Sequence, residues 1–301
     1  MFKKICIIGC GLIGSSIARA IKKNKLAGKV VSSNRSNSTN KKIIKLNTVD
    51  EASSDTRKIV KGSDLVIIAS PLSSYKNVVL KIKSSLKNGA ILTDVGSVKK
   101  KVIHLIEKNI PNNVSWISSH PIAGTEESGP ESGFSELFKN RWCILTPSRK
   151  SKNKDVKLLK NFWKKLGSVV DVMDANKHDY ILAITSHMPH LIAYNIVNTT
   201  LKIKNKKDRN IVKYSAGGLR DFTRIAASNP IMWRDIFVEN KENTSKMIDK
   251  FIENLTDLKK AIENKNEKKL EKIFRKTKKI RKEIIEAGQD ISKPDFGRKQ
   301  N

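Results

Sequence analysis

Six residues near the start of the chain constrain its fold more than any other stretch. Gly9-Cys10-Gly11-Leu12-Ile13-Gly14 directly follows the β-rich run KKICII at 3–8. It opens SSIARAIKKNK, where Ile17, Ala20 and Ile21 fall on one side of a helix. A strand, a glycine turn and a helix in immediate succession form the first unit of an α/β sheet, and the spacing suits no coiled coil, all-β or all-α beginning.

The pattern then repeats. KVVSSN at 29–34, the continuous apolar run DLVIIAS at 64–70, GAILTDVGS at 89–97 and VSWISSH at 114–120 read as strands alternating with helical segments. Such alternation predicts a parallel, doubly wound Rossmann-type sheet buried on both faces. WCILTP at 142–147 and GSVVDVM at 167–173 look like its last strands, with DVKLLKNFWKKL between them as a helix. Beyond Met173 the strand signals stop. HDYILAITSHMPHLIAYNIVNTTL, NPIMWRDIFVENKENTSKMIDKFIENLTDLKKAI and KKLEKIFRKTKKIRKEIIEA all read as helices. The expected organisation is therefore a dinucleotide-binding domain over 1–173, an all-α domain over 174–288 and a loose tail over 289–301. Met247, Phe251, Leu255, Leu258 and Ile262 form an apolar stripe that suits either a core-facing helix or one shared with a second subunit.

The 60 Lys and Arg against 29 Asp and Glu give a formal charge of +31, which raises the question of a nucleic-acid partner. The lysines are scattered, and no aromatic-interleaved basic strip stands out to stack bases, so nucleic acid is not the expected partner. The N-terminus resembles a signal peptide in its positive start and apolar run, but the spaced glycines and Arg19 argue against one. No stretch approaches the roughly 20 apolar residues of a membrane span. Cys6, Cys10 and Cys143 have neither disulfide-like nor metal-like spacing. A cytoplasmic protein is expected.

The glycine motif points to a dinucleotide. Gly9 permits the tight turn, Gly11 lets the backbone approach a pyrophosphate, Gly14 allows close helix packing, and Leu12 and Ile13 begin the helix whose N-terminus faces the phosphates. Ser70 and Pro71, ending the run at 64–70, are further expected cofactor contacts. An NAD-type site places Asp or Glu at the end of the second strand to hold the adenosine ribose. Here Asn34, Arg35 and Ser36 stand there. Arg35 with the hydroxyls of Ser36 and Ser38 suits a 2′-phosphate, or Arg35 is one more surface cation; NAD and NADP both stay open, with the balance towards NADP.

WISSHPIAGTE at 116–126 is too rich in turn formers for a helix and too polar, taken whole, for a core strand, so His120 is expected on a strand-end loop. It joins Thr93-Asp94-Val95-Gly96-Ser97-Val98-Lys99 at the strand ends, where such sheets place their chemistry. Farther on come Ser186-His187-Met188-Pro189-His190, Gly217-Gly218-Leu219-Arg220-Asp221-Phe222-Thr223-Arg224 and Met232-Trp233-Arg234-Asp235. In this order and with these gaps, from about Lys4 to about Ala287, the chain resembles the prephenate dehydrogenase family, which includes cyclohexadienyl and arogenate dehydrogenases.

The resemblance implies an NAD(P)-dependent oxidative decarboxylation of prephenate to 4-hydroxyphenylpyruvate and CO2. By match to SHPIAG, His120 would take up the ring-hydroxyl proton, as an imidazole titrating near physiological pH, with Ser97 sharing that hydrogen bond. Arg224 would anchor a carboxylate, His190 and Ser186 would line the pocket, Glu126 and Asp221 would hold or gate Arg224, and Trp233 would pack nearby. His187 is expected to be structural. His187 and His190, three apart, suggest a metal only superficially, since no third ligand accompanies them, and none is expected. The resemblance further implies a homodimer joined through the helical domain; neither a fused chorismate mutase nor an ACT regulatory domain is expected. Arogenate is the alternative substrate, although no acid is evident for its ammonium. A non-catalytic dinucleotide-sensing or nucleic-acid-binding protein is the alternative from another class, and His120, Ser97 and Arg224 together weigh against it.

Overall fold

Alternate residues of the first strand, β1 (Phe2–Ile8), point to opposite faces, and both faces are covered. Ile5 and Ile7 join Ile17, Ile21, Leu65 and Ile67 in one core, while Cys6 and Ile8 join Val66, Ile68, Tyr75 and Trp116 in another. This two-sided burial is why the early strands read as unbroken apolar runs. The computed structural model describes residues 2–125, 127–203 and 211–286.

After β1 follow α1 (Leu12–Lys23), β2 (Ala27–Ser33), α2 (Asn37–Lys45), β3 (Glu51–Ser53), α3 (Thr56–Val60), β4 (Leu65–Ile68), α4 (Tyr75–Ile82), β5 (Ile91–Asp94), α5 (Lys100–Glu107) and β6 (Ser115–Pro121). Then come β7 (Trp142–Pro147), α6 (Asn153–Lys165) and β8 (Val169–Val172). The eight strands lie in the order β3-β2-β1-β4-β5-β6-β7-β8. The order reverses between β1 and β4, the switch point where such sheets open a crevice at their carboxyl ends.

The sheet departs from the all-parallel expectation at one place. β7 runs antiparallel to β6, with His120 opposite Ile144. A parallel return needs a crossover, usually helical. The connection from 122 to 141 forms no helix among its described residues, so the chain doubles back; α6 then restores a parallel β7–β8 pair.

Past the sheet the chain divides into two compact units. The first comprises residues 1–187 and 227–241, and the second 188–226 and 242–301, as far as their residues are described. The first unit includes residues beyond Met173. It takes in α7 (Ala175–Leu182), capped by Asp174, whose carboxylate accepts from the amides of Asn176 and Lys177. The second unit contains α8 (Met188–Ile203) and α9 (Gly217–Thr223). α10 (Pro230–Glu239) returns to the first, and α11 (Lys241–Glu263) and α12 (Glu267–Ile284) continue the second.

The helix expected to run unbroken from 178 to 201 is interrupted by a π-helical turn at Ala183–His187. Pro189 supplies a reason: it lacks the amide that would bond back to residue 185. The wide turn carries His187 fully buried, its Nδ1 3.1 Å from Asn240 Nδ2. No helix among the described residues is long and apolar enough to cross a membrane. The expected tail at 289–301 lies outside the described residues.

Candidate functional site

The first strand-end loop is shaped for close approach. Gly9 adopts φ +93°, and a Cβ there would meet Ala69 O at 2.8 Å; a Cβ on Gly14 would lie 2.1 Å from Gly9 O. A Cβ on Gly11, by contrast, would meet nothing within 4 Å. Gly11 also begins α1 without a side-chain cap, so the first-turn amides of Leu12 and Ile13 keep their donors for a ligand. Tight packing on two sides and open space on the third fit a dinucleotide pyrophosphate.

Asn34 acts from beneath this loop. Its Oδ1 accepts from Cys10 N at 2.6 Å, and its Nδ2 reaches Ser32 Oγ and Asn40 Oδ1. The side chain is buried, so its amide braces the glycine loop, whereas the sequence suggested a contact to the adenosine. Arg35 and Ser36 are exposed beyond it, with Ser36 Oγ capping α2 and paired to Ser38 Oγ at 2.6 Å. At the end of β4, Ser70 Oγ pairs with Ser74 Oγ at 2.7 Å and Pro71 O accepts from Ser74 N. Asp235 of α10 pins this turn by accepting from Ser73 N at 3.1 Å.

The ends of β5 and β6 hold a charged network from which solvent is excluded. Lys99 and Asp94 are fully buried, with Nζ 2.8 Å from Oδ2. Lys99 Nζ also donates to Ser118 Oγ and Ser119 O, and the Asp94 carboxylate accepts from Ser118 Oγ, Ser119 N, Gly96 N and Tyr75 OH. Burial pulls the Lys99 ammonium pKa down and the Asp94 charge opposes it. These bonds explain why 115–121, the first part of a stretch that read as too polar when taken whole, forms a core strand: β6 is buried throughout and its serines are all engaged.

His120 sits within β6, not on a loop after it. Its Nδ1 lies 2.9 Å from His178 Nε2, and His178 Nδ1 lies 2.8 Å from Asp179 Oδ1. Burial, with His178 and the Lys99 charge adding to it, holds the His120 pKa well below 6.5. These effects all favour the neutral imidazole over the imidazolium. Ser97 stands half-buried between β5 and α5.

The remaining expected residues divide between the units. Ser186 lies in the π-helical turn, and Trp233 is buried on α10 with its ring edge-on to His187 at 6.2 Å. His190 is half-buried on α8 of the second unit. Asp221 lies within the same unit's α9, its Oδ1 2.9 Å from Arg220 Nε, and exposed Arg224 follows the end of that helix. Glu126 lies outside the described residues.

Sequence reading did not single out Asp94, Lys99, His178 or Asp179 for a role. For the last two a signal exists: on a helix they share a face with Leu182 and Ala183, an apolar side on which two ionisable residues are out of place.

Residues 17–172 match the prephenate dehydrogenase nucleotide-binding domain, and 174–276 match the prephenate dehydrogenase dimerization domain. A cyclohexadienyl dehydrogenase of Zymomonas mobilis is 37% identical over 281 residues, spanning 93% of this chain and 96% of its own. A prephenate dehydrogenase of Bacillus subtilis is 32% identical over 278 residues, 92% of this chain and 75% of its own. The crystal structure of Aquifex aeolicus prephenate dehydrogenase with hydroxyphenyl propionate and NAD+ superimposes with a TM-score of 0.88 at 34% identity, covering 94% of this chain and 99% of that one. With both halves matched and relatives similar along nearly its whole length, the chain belongs to the prephenate dehydrogenase family of oxidoreductases.

Proposed function

We propose that the chain oxidises and decarboxylates prephenate, with His120 as the proton acceptor. The observation that carries this reading is a buried imidazole at the carboxyl end of β6, on the sheet edge that also bears the glycine loop and the Ser70-Pro71 turn. Gly9, Gly11 and Gly14 would hold the dinucleotide's pyrophosphate against the start of α1. The bound cofactor supplies the hydride acceptor. His120 takes the ring-hydroxyl proton at Nε2 as the adjacent carbon gives up its hydride and a carbonyl forms. The bond to the ring carboxylate then breaks, its electron pair enters the ring, and the oxygen regains the proton from His120. The products are 4-hydroxyphenylpyruvate and CO2, with no net proton released. Ser97 would share the hydroxyl's hydrogen bond. Arg224 would bind a substrate carboxylate, with Glu126 and Asp221 holding it, and His190, Ser186 and Trp233 would shape the pocket.

The name of the Zymomonas mobilis relative supports a second reading in which arogenate is also accepted. Following reduced-nicotinamide absorbance with each substrate and each of NAD and NADP separates these readings. Turnover is expected with prephenate; none with either substrate would remove the proposal.

For the cofactor, Arg35 beside Ser36 and Ser38 supports a preference for NADP. Arg35→Ala is expected to weaken NADP by about 1.5–3 kcal/mol, the range for a hydrogen bond to a charged group, and to leave NAD largely unaffected. Titration with both dinucleotides checks this, and equal losses for the two contradict it.

The second unit supports a homodimer. Along the expected stripe Leu255 and Ile262 are exposed while Met247, Phe251 and Leu258 are half-buried, and Ile252, Phe274 and Ile280 add further exposed apolar surface on α11 and α12. Apolar area gains about 25 cal/mol per Å² when covered, and charge repulsion is screened beyond about 8 Å at physiological salt. Light scattering should give twice the 33.8 kDa of one chain. A fully active species with the mass of a single chain would refute the dimer.

A further inference from the structure

We infer that Asp179 and His178 are positioning residues that fix the tautomer of His120, placing its one proton on Nδ1 and leaving Nε2 as the base. The inference deepens the proposed chemistry and rests on His120 being its proton acceptor.

The assignment follows from donors that have no choice. The backbone amides of Lys99 and Lys100 donate to Asp179 Oδ1 at 2.8 Å and Oδ2 at 3.0 Å. Both carboxylate oxygens are thereby acceptors, so the proton in the 2.8 Å contact between Asp179 Oδ1 and His178 belongs to His178 Nδ1. A neutral His178 then has only a lone pair on Nε2. Across the 2.9 Å contact to His120, the proton must therefore sit on His120 Nδ1, and His120 Nε2 is left unprotonated.

His178 is itself buried, and desolvation lowers its pKa, with the Lys99 charge adding to that effect and Asp179 and Asp94 opposing it. A second positive charge beside the Lys99 ammonium is disfavoured, which keeps the imidazole neutral and the direction of the chain single. When His120 accepts the substrate proton it becomes an imidazolium facing His178, whose other nitrogen rests on a carboxylate. The charge thus forms at the head of an ordered line of dipoles. Free imidazole exchanges its tautomers readily; here the wrong form would pit two lone pairs against each other in a buried site.

The chain contains five histidines, so the ring nitrogens of uniformly 15N-histidine-labelled protein can be resolved by two-bond proton–nitrogen NMR, and the His120 signals identified by their loss in His120→Asn. In the wild type His120 is expected to show a protonated Nδ1 and a bare Nε2. His178→Phe removes the acceptor: the proton should move to Nε2, and turnover should fall by about 10²- to 10⁴-fold while KM changes by a few-fold at most. His178→Gln restores a carbonyl that can accept from Nδ1. It should return the tautomer and bring turnover to within about tenfold of wild type, as expected for a relay whose acceptor has been replaced.

A wild-type His120 protonated on Nε2 would overturn the inference. So would a His178→Phe protein whose tautomer and turnover match the wild type, or a loss of turnover shared by Phe and Gln with the tautomer unmoved. If His178→Phe does not fold, the wild-type and Gln spectra decide. The spectra need no substrate, so a protein inactive on prephenate and arogenate refutes the proposed function and leaves the tautomer result standing.

Discussion

His120→Asn is expected to lower turnover by about 10²- to 10⁴-fold while KM for prephenate moves by a few-fold at most. Asparagine is the informative replacement because its amide can still donate towards His178 Nε2, the partner 2.9 Å from the native ring, so β6 and its neighbours should stay in place. What asparagine cannot do is take up a proton and return it. The loss should therefore fall on the transition state alone, about 3–5 kcal/mol at 1.36 kcal/mol per decade. The same environment shapes the wild-type pH profile. A base must be unprotonated to act, and burial beside His178 and Lys99 holds His120 below its ordinary 6.5. The acid limb of kcat/KM, which reports the free enzyme, should accordingly lie below pH 6.5. Steady-state kinetics across pH decides both points, and a variant that keeps more than a third of wild-type turnover would show His120 to be structural.

Features carried by neighbouring residues were legible in the sequence; features that need distant segments to meet were not. The β1–α1 turn is local: an apolar run, three spaced glycines and a helical period follow one another, and the fold obeys them. β3 escaped because Glu51, Ala52 and Ser53 form a short, polar edge strand with neither length nor alternation to mark it. The reversal at β7 goes with a connection from 122 to 141 that builds no helix among its described residues, which periodicity cannot convey. The site divides the same way. His120 stood out because its SHPIAG surroundings form a contiguous motif, yet its pKa is lowered by burial and then by His178, which is 58 residues away. Asp94 and Lys99 lie in the strand-end segment 93–99 that the sequence marked, but their pairing was not legible there, because only the packing of β5, β6 and α4 makes them a buried pair. The bond from Cys10 N to Asn34 was not legible either, because a side chain at the end of β2 can turn outward or inward and the pull of Cys10 N is invisible in the sequence.

Breaking that buried pair should produce the largest stability change in the molecule. Asp94→Asn is expected to cost about 3–5 kcal/mol, the usual consequence of leaving one partner of a buried ion pair uncompensated. Its carboxylate accepts from Lys99 Nζ, Ser118 Oγ, Ser119 N, Gly96 N and Tyr75 OH, so an amide in either orientation sets its own N–H groups against donors. Lys99, fully buried and already lowered in pKa by desolvation, then keeps its charge at that cost or sheds its proton. Lys99→Met should be milder, because the Asp94 carboxylate would retain Ser118, Ser119 N, Gly96 N and Tyr75 as donors and so stays solvated by the protein. The double variant should be more stable than Asp94→Asn alone, since the buried ammonium that made the single change expensive is gone. Urea unfolding of the four proteins gives the cycle directly. A loss of 3–5 kcal/mol is a large part of the roughly 5–15 kcal/mol of a typical domain, so it should be visible without ambiguity. Equal, small losses in the two single variants, with no recovery in the double, would mean that Ser118, Ser119 and Tyr75 hold the ends of β5 and β6 without help from the charge.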